Sequence, residues 1–140
     1  MIQAYIDAWM EHKDEYKGWL RTLTHNWEDE LTYKKMVQGL VNIIINPYID
    51  ELETLDADLM TVIDNGDYQG TEIFIIPEDT YQPSIDEYVY TYVAYGSCSG
   101  CDTLLNALSL SELGANFSKD TIDALMTLAL HLMERFATLQ

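Results

Sequence analysis

The sequence predicts an α+β fold in which a small three-strand antiparallel sheet is flanked by N- and C-terminal helices. Apolar residues recur at helical spacing in the first and last parts of the chain, whereas the middle part alternates every second residue. The length of 140 residues is typical of one domain. We therefore expect a single domain over 1–140, helical over 1–57, β-sheet over 58–95 and helical again over 96–140.

Two helices are predicted in the N-terminal part. The apolar face of the first consists of Ile2, Tyr5, Ile6, Trp9, Tyr16, Leu20 and Leu23. Asn26, followed by Asp29 and Glu30, is typical of a helix N-cap with acids in the first turn. We therefore expect the second helix to begin there. It should end at Asn46-Pro47, because proline disfavours helix in the residue before it.

The middle of the chain predicts a β-hairpin. Segments 59–63 and 71–76 are rich in β-branched and apolar residues, which favour strands. The sequence Asp64-Asn65-Gly66-Asp67 between them is typical of a hairpin turn.

The third predicted strand, 88–95, has a row of tyrosines on one face. Tyr88, Tyr90 and Tyr92 alternate with Val89, Thr91 and Val93. Such a row is a candidate recognition surface. We expect instead that it packs under a helix with its hydroxyls reaching solvent.

Two further helices are predicted after the sheet. One begins near Cys101, and the last follows Ser118, a residue type that favours the N-cap position. The apolar stripe of the last helix predicts a core face and consists of Ile122, Leu125, Met126, Ala129, Leu132, Met133 and Phe136.

Acidic residues dominate the middle of the chain. The sequence has 24 Asp and Glu against 7 Lys and Arg, which gives a net charge of −17. No Lys or Arg lies between Lys35 and Lys119, a stretch with fourteen acids. A surface of one sign repels nucleic acid and anionic membranes and attracts basic proteins and divalent cations. We therefore expect a basic protein partner and no direct nucleic-acid or membrane contact. A solvated surface that only keeps the protein soluble is the alternative.

Ten of these acids are predicted to bind the partner. They flank the hairpin and open the third strand: Asp50, Glu51, Glu53, Asp56, Asp58, Glu72, Glu78, Asp79, Asp86 and Glu87. Because the screening length at physiological salt is about 8 Å, only acids gathered on one face would act together.

The sequence also bears on compartment. No apolar run approaches the roughly 20 residues needed to span a bilayer. The N-terminus, Met1-Ile2-Gln3-Ala4, lacks the basic region of a signal peptide. The expected location is therefore the cytoplasm.

Both cysteines lie in one short segment, and they indicate a zinc site. Cys98 and Cys101 are three residues apart at the predicted strand-to-helix junction, so their sulfurs can share one cation. Zinc usually takes four ligands, and Asp102 and Asp67 are candidates for the others. The alternatives are a dithiol redox site, an enzyme with a nucleophilic cysteine, and two small residues in a tight turn. We do not expect an enzyme.

Two motifs together carry a resemblance. The first motif is Gly66-Asp67-Tyr68-Gln69-Gly70, and the second is Tyr95-Gly96-Ser97-Cys98-Ser99-Gly100-Cys101-Asp102. Together they resemble a family of small phage and prophage proteins, over roughly residues 58–108. Small acidic phage proteins are similar to inhibitors of host defence, including anti-CRISPR proteins that occupy basic nucleic-acid channels of RNA-guided nucleases. The motif resemblance implies a phage-encoded protein with Asp67 close to the cysteine segment, and the analogy with these inhibitors implies that it inhibits a host protein in the host cytoplasm. A small structural phage protein is the alternative.

Overall fold

Helices lie at both ends of the chain, and an antiparallel sheet lies between them. The computed structural model describes residues 2–66, 70–80, 82–96 and 102–139. Within them the sheet has four strands in the order β1-β2-β3-β4. The predicted α+β fold is therefore confirmed, with one strand more than expected.

The first helix buries the face that its spacing predicted. Helix α1 (Ile2–Arg21) places Tyr5, Trp9, Tyr16 and Leu20 in the core. The buried hydroxyl of Tyr16 donates to the carbonyl oxygen of Met36 at 3.0 Å, which joins α1 to the next helix. Burial raises the pKa of Tyr16, so this hydroxyl remains a donor at any physiological pH.

The second helix begins later than predicted. Helix α2 (Tyr33–Leu40) is capped by Thr32, whose side chain accepts from the Lys35 N–H. Asn26 instead accepts from the Glu28 N–H in a turn, so its assignment as the N-cap of this helix is wrong. The physical reason is that asparagine hydrogen-bonds the backbone equally well in turns and at caps.

This helix also continues past the predicted end. A π-helical turn (Val41–Ile45) leads into the short helix α3 (Asn46–Tyr48). Pro47 lies within this continuous segment, one residue before its end at Tyr48. The predicted end at Asn46-Pro47 is therefore early by one residue.

The strands form a meander. They are β1 (Thr61–Asp64), β2 (Gly70–Pro77), β3 (Tyr88–Tyr95) and β4 (Ala137–Thr138). Each pairs antiparallel with its neighbour along the chain. The sequence analysis missed β4 because two residues are too short to show a strand periodicity.

The helices cover the face of β3 opposite to the tyrosines. Val89, Thr91 and Val93 are buried. The Thr91 hydroxyl donates to the Leu132 carbonyl oxygen at 2.8 Å. The expectation that the tyrosine row packs under a helix is therefore wrong, because the alternation of a strand allows only one of its faces to join the core.

The remaining helices follow the sheet. They are α4 (Thr103–Leu108) and α5 (Lys119–Glu134). Ser118 caps α5 as predicted, since its hydroxyl oxygen accepts from the Thr121 N–H. In the described parts of the chain, no helix combines the length and the apolar character that a membrane crossing would need.

Two helical glycines are predicted to respond in opposite directions to alanine. A Cβ on Gly39 would lie 2.6 Å from the Trp19 ring, so Gly39→Ala should lower the free energy of unfolding by about 1 to 3 kcal/mol. A Cβ on Gly18 would meet no atom within 4 Å, so Gly18→Ala should raise it by up to about 1 kcal/mol through helix propensity. Denaturant unfolding measures both. Equal effects would contradict the close contact of α1 with α2.

Candidate functional site

Five of the ten predicted partner-binding acids lie at one end of the sheet, where β2 ends and β3 begins. Backbone hydrogen bonds bring three chain segments together there. The Glu78 N–H donates to the Glu87 carbonyl oxygen at 2.8 Å, and the Asp79 N–H donates to the Thr54 carbonyl oxygen at 2.8 Å. We call this group the acidic sheet end, and it consists of Glu53, Glu78, Asp79, Asp86 and Glu87.

Local hydrogen bonds hold the acids of the β2–β3 connection in place. Ser84 and Glu87 form a capping box around the short 3-10 turn Ile85–Glu87. The Ser84 hydroxyl lies 2.6 Å from Glu87 Oε1 and 2.7 Å from Asp86 Oδ1. Hydrogen bonds from Ser84, and from Thr80, lower the pKa of Glu87. Glu87 is therefore held in its charged form.

The pKa of Glu78 is shifted in the opposite direction to that of Glu87 and is raised. Its partial burial is the main cause that raises its pKa, followed by the negative charges of Glu87 and Glu53. A side-chain hydrogen bond to Glu87 and the charge of Asp86 act in the same direction. Every charged neighbour that shifts the pKa of Glu78 is thus another carboxylate. A cation that approached this group would relieve the repulsion among them.

Five predicted acids lie outside this group, and four of them are in the segment between α3 and β1. Asp56 caps the 3-10 turn Ala57–Leu59 by accepting from the Asp58 N–H at 3.0 Å, and Asp58 is exposed. Asp50 and Glu51 are exposed after α3. Glu51 lines a small cleft against α1.

Glu72 lies far from the acidic sheet end. It faces the helices from the start of β2, and burial, followed by the charges of Asp64 and Asp102, raises its pKa. Glu78 follows it by six positions along extended chain, a span of about 20 Å. That span exceeds two screening lengths at physiological salt. The ten acids therefore do not form one surface.

Asp102 is the one predicted zinc ligand that the structure describes. It is buried and caps α4, because its Oδ1 accepts from the Leu105 N–H at 3.1 Å. The Tyr33 hydroxyl also donates to Asp102 Oδ1 at 2.5 Å, and burial and this hydrogen bond raise the pKa of Tyr33. Tyr33, Glu72 and Asp102 line a cleft of about 600 Å³.

The other predicted ligands, Cys98, Cys101 and Asp67, lie outside the described residues. Within the described residues, no group of three or more His, Cys, Asp or Glu side chains is arranged to hold a metal. The zinc site and the proximity of Asp67 to the cysteines stay predictions.

Sequence reasoning missed the residues that orient the acids. Ser84 and Glu87 have the spacing of a capping box, and this signal was available in the sequence. No sequence pattern indicated Tyr33, because it is 69 residues away from Asp102 in the sequence and the two side chains contact each other only in the folded protein.

No protein-family model, curated protein or solved structure matches the chain. The resemblance to phage proteins therefore stays a prediction from the two motifs.

Neutralising Glu78 should stabilise the protein at neutral pH. A raised pKa means that the folded state favours the protonated carboxyl, so this contribution is present in acid and is lost as pH rises through the folded-state pKa. Glu78→Gln should therefore raise the free energy of unfolding by about 0.5 kcal/mol at pH 7. The two proteins should converge below the ordinary glutamate pKa.

Denaturant unfolding from pH 3 to pH 8 measures this difference. The matched control is Asp14→Asn on the exposed side of α1, which should show no comparable pH-dependent gain. A Glu78→Gln protein that is less stable than the wild type at pH 7 would contradict the repulsion among these carboxylates.

The zinc prediction has a direct test in protein purified without chelator. Elemental analysis should find one zinc per chain, and Cys98→Ser should lose it, whereas the neighbouring Ser99→Ala should retain it. Chelation should lower the melting temperature, because structural zinc is coupled to folding. Metal-free wild-type protein with an unchanged melting temperature would refute the site.

Proposed function

We propose that the chain is an interaction protein that binds and inhibits a basic, nucleic-acid-binding host protein through the acidic sheet end. The observation that carries this proposal is the environment of Glu78. Besides its partial burial, the three carboxylates of Glu87, Glu53 and Asp86 oppose its ionisation, and no base appears among the charges that shift it. Such a cluster lowers the stability of the free protein and is relieved by a cationic partner.

The position of the cluster supports a role in binding. Glu53, Asp79 and Asp86 are exposed, while Glu78 and Glu87 are partly buried and fixed by the backbone pairing around them. A partner therefore meets carboxylates that are already positioned, so less side-chain entropy is lost on binding. An Arg- or Lys-rich groove of the kind that holds nucleic acid has the complementary charge.

The phage origin, the host cytoplasm and the choice of an RNA-guided CRISPR nuclease as the partner rest on the motif resemblance. An acidic cluster that occupies a nucleic-acid channel would exclude the nucleic acid by competition for the same basic side chains. Inhibition would then follow from binding alone, without catalysis by this chain. The cysteine segment would have a structural role, with zinc as its proposed ligand.

Charge reversal at the acidic sheet end should slow association with the partner. The double variant Glu78→Lys/Asp79→Lys is expected to reduce the association rate for a guide-loaded RNA-guided CRISPR nuclease by about tenfold or more. The wild-type rate should also fall as salt rises, because the attraction is screened. Stopped-flow or surface-based kinetics at several salt concentrations measures both.

The control is Glu11→Lys/Asp14→Lys, which changes the net charge equally but lies on α1. Its rate should change by no more than about twofold to threefold. Equal losses in the two variants would show that only net charge matters. Binding that is indifferent to salt would refute the electrostatic mechanism.

A further inference from the structure

The outer face of the sheet, opposite to the helices, is apolar and aromatic. Strand alternation places on it a set of residues that we call the tyrosine face: Ile63, Ile73, Ile75, Tyr88, Tyr90 and Tyr92. Val89, Thr91 and Val93 on the helix-facing side are buried, whereas Tyr92 is 42% exposed and Ile63 is 45% exposed. Within the described residues, none of the six belongs to the hydrophobic core or packs against it.

The strand register makes this face continuous. Ile73 lies directly opposite Tyr92, and Ile75 lies directly opposite Tyr90. On the other side of β2, Ile63 lies opposite Ile73. Cross-strand partners on one face have Cβ atoms about 5 Å apart. The six side chains therefore form one strip across three strands.

The tyrosine face already holds a guanidinium group. The Arg135 guanidinium carbon lies 5.2 Å from the centre of the Tyr92 ring. Arg135 Nη1 also donates to the Tyr92 carbonyl oxygen at 3.2 Å. This is the geometry of a cation–π contact, in which the negative face of the ring attracts the cation. Tyr88 and Tyr90 continue the same row.

The charge of the protein indicates which kind of molecule can bind the tyrosine face. A second copy of this chain would bring a second net charge of −17 against the first, and a nucleic acid would bring a phosphate backbone. The face also adjoins the acidic sheet end, because Tyr88 directly follows Glu87. A partner surface that combines arginine with aliphatic side chains complements both regions.

We propose that the tyrosine face docks an arginine- and aliphatic-rich surface of a basic protein partner, beside the acidic sheet end. This inference rests on the proposed function and specifies the partner further. The acids attract the positive charge at long range, whereas the tyrosines and isoleucines select arginine and apolar groups at contact. Arginine is favoured over lysine because its planar guanidinium stacks on aromatic rings.

Two blocked eight-residue peptides of equal charge test the inference, one alternating Arg with Val and the other alternating Lys with Ser. At about 300 mM salt, where charge attraction is screened, the Arg/Val peptide should bind at least about fivefold more tightly. Its amide shift changes in NMR spectra of the wild-type protein should centre on Ile73, Ile75, Tyr90 and Tyr92. This mapping requires no variant to fold.

The variant Ile75→Thr/Tyr90→Thr removes one cross-strand pair while keeping β-branched residues that favour strands. It should abolish the preference for the Arg/Val peptide. Tyr92→Thr, at a more exposed position, should reduce the preference, and Leu110→Thr, an exposed apolar residue on the helical side, should leave it unchanged. Circular dichroism confirms that each variant is folded.

The outcomes separate this inference from the proposed function. Equal binding of the two peptides, with shift changes away from the tyrosine face, would overturn the inference alone. If neither peptide shows salt-dependent binding at low salt, the proposed function is overturned. Self-association through this face in sedimentation experiments, or binding of a single-stranded oligonucleotide to it, would overturn the choice of occupant.

Discussion

The burial of one side of β3 is the constraint on which the rest of the structure depends. Val89, Thr91 and Val93 face the helices, and the Thr91 hydroxyl fixes β3 to the carboxyl-terminal part of α5. Because side chains alternate along a strand, this choice forces Tyr88, Tyr90 and Tyr92 to the opposite face. It also sets the register with β2 and β4, since β3 pairs with both. The outer surface is thus a consequence of the core.

The pairing of β2 with β3 also determines where the acids of the acidic sheet end lie. Glu78 and Glu87 are close because β2 and β3 are adjacent and their connection turns back through a capped 3-10 turn. Folding therefore brings like charges together, and burial, followed by the repulsion from these charges, raises the pKa of Glu78. A protein retains such an unfavourable arrangement when the rest of the fold supplies enough stability. Here the buried core extends from α1 through α5, with Tyr16, Phe74 and Leu125 among its fully buried members.

The two parts of the proposed binding surface differ in range and in selectivity. Carboxylates act over about one screening length and respond to any cation. Aromatic rings act only at contact, and they distinguish arginine from lysine by shape. The contact of Arg135 with Tyr92 shows within one chain how a guanidinium lies on this face. In the proposed complex, this arrangement would couple fast, unspecific attraction to a slower and more selective docking step.

Elements whose residue pattern is local could be predicted from the sequence. The face of α1, the cap at Ser118 and the limits of β3 follow from spacing and residue type, because they depend on neighbours within a few residues. The concentration of acids in the middle of the chain is likewise a property of sequence alone. The start of α2 did not follow, because Asn26 and Thr32 are both residue types that cap helices and only their contacts distinguish them.

Long-range packing, in contrast, determines which acids lie close together and which face of the sheet Tyr88, Tyr90 and Tyr92 occupy. Glu72 lies on β2 and Glu78 directly follows that strand, yet about 20 Å of extended chain separates them, whereas the charge of Glu53 from another segment acts on Glu78. The pairing of Tyr33 with Asp102 likewise depends on how α2 lies against α4. A strand of alternating residues has two faces that can each be buried, and the choice between them is made by the helix that packs on it. That packing depends on contacts between residues distant in sequence, so no local sequence pattern predicts which face of the strand is buried.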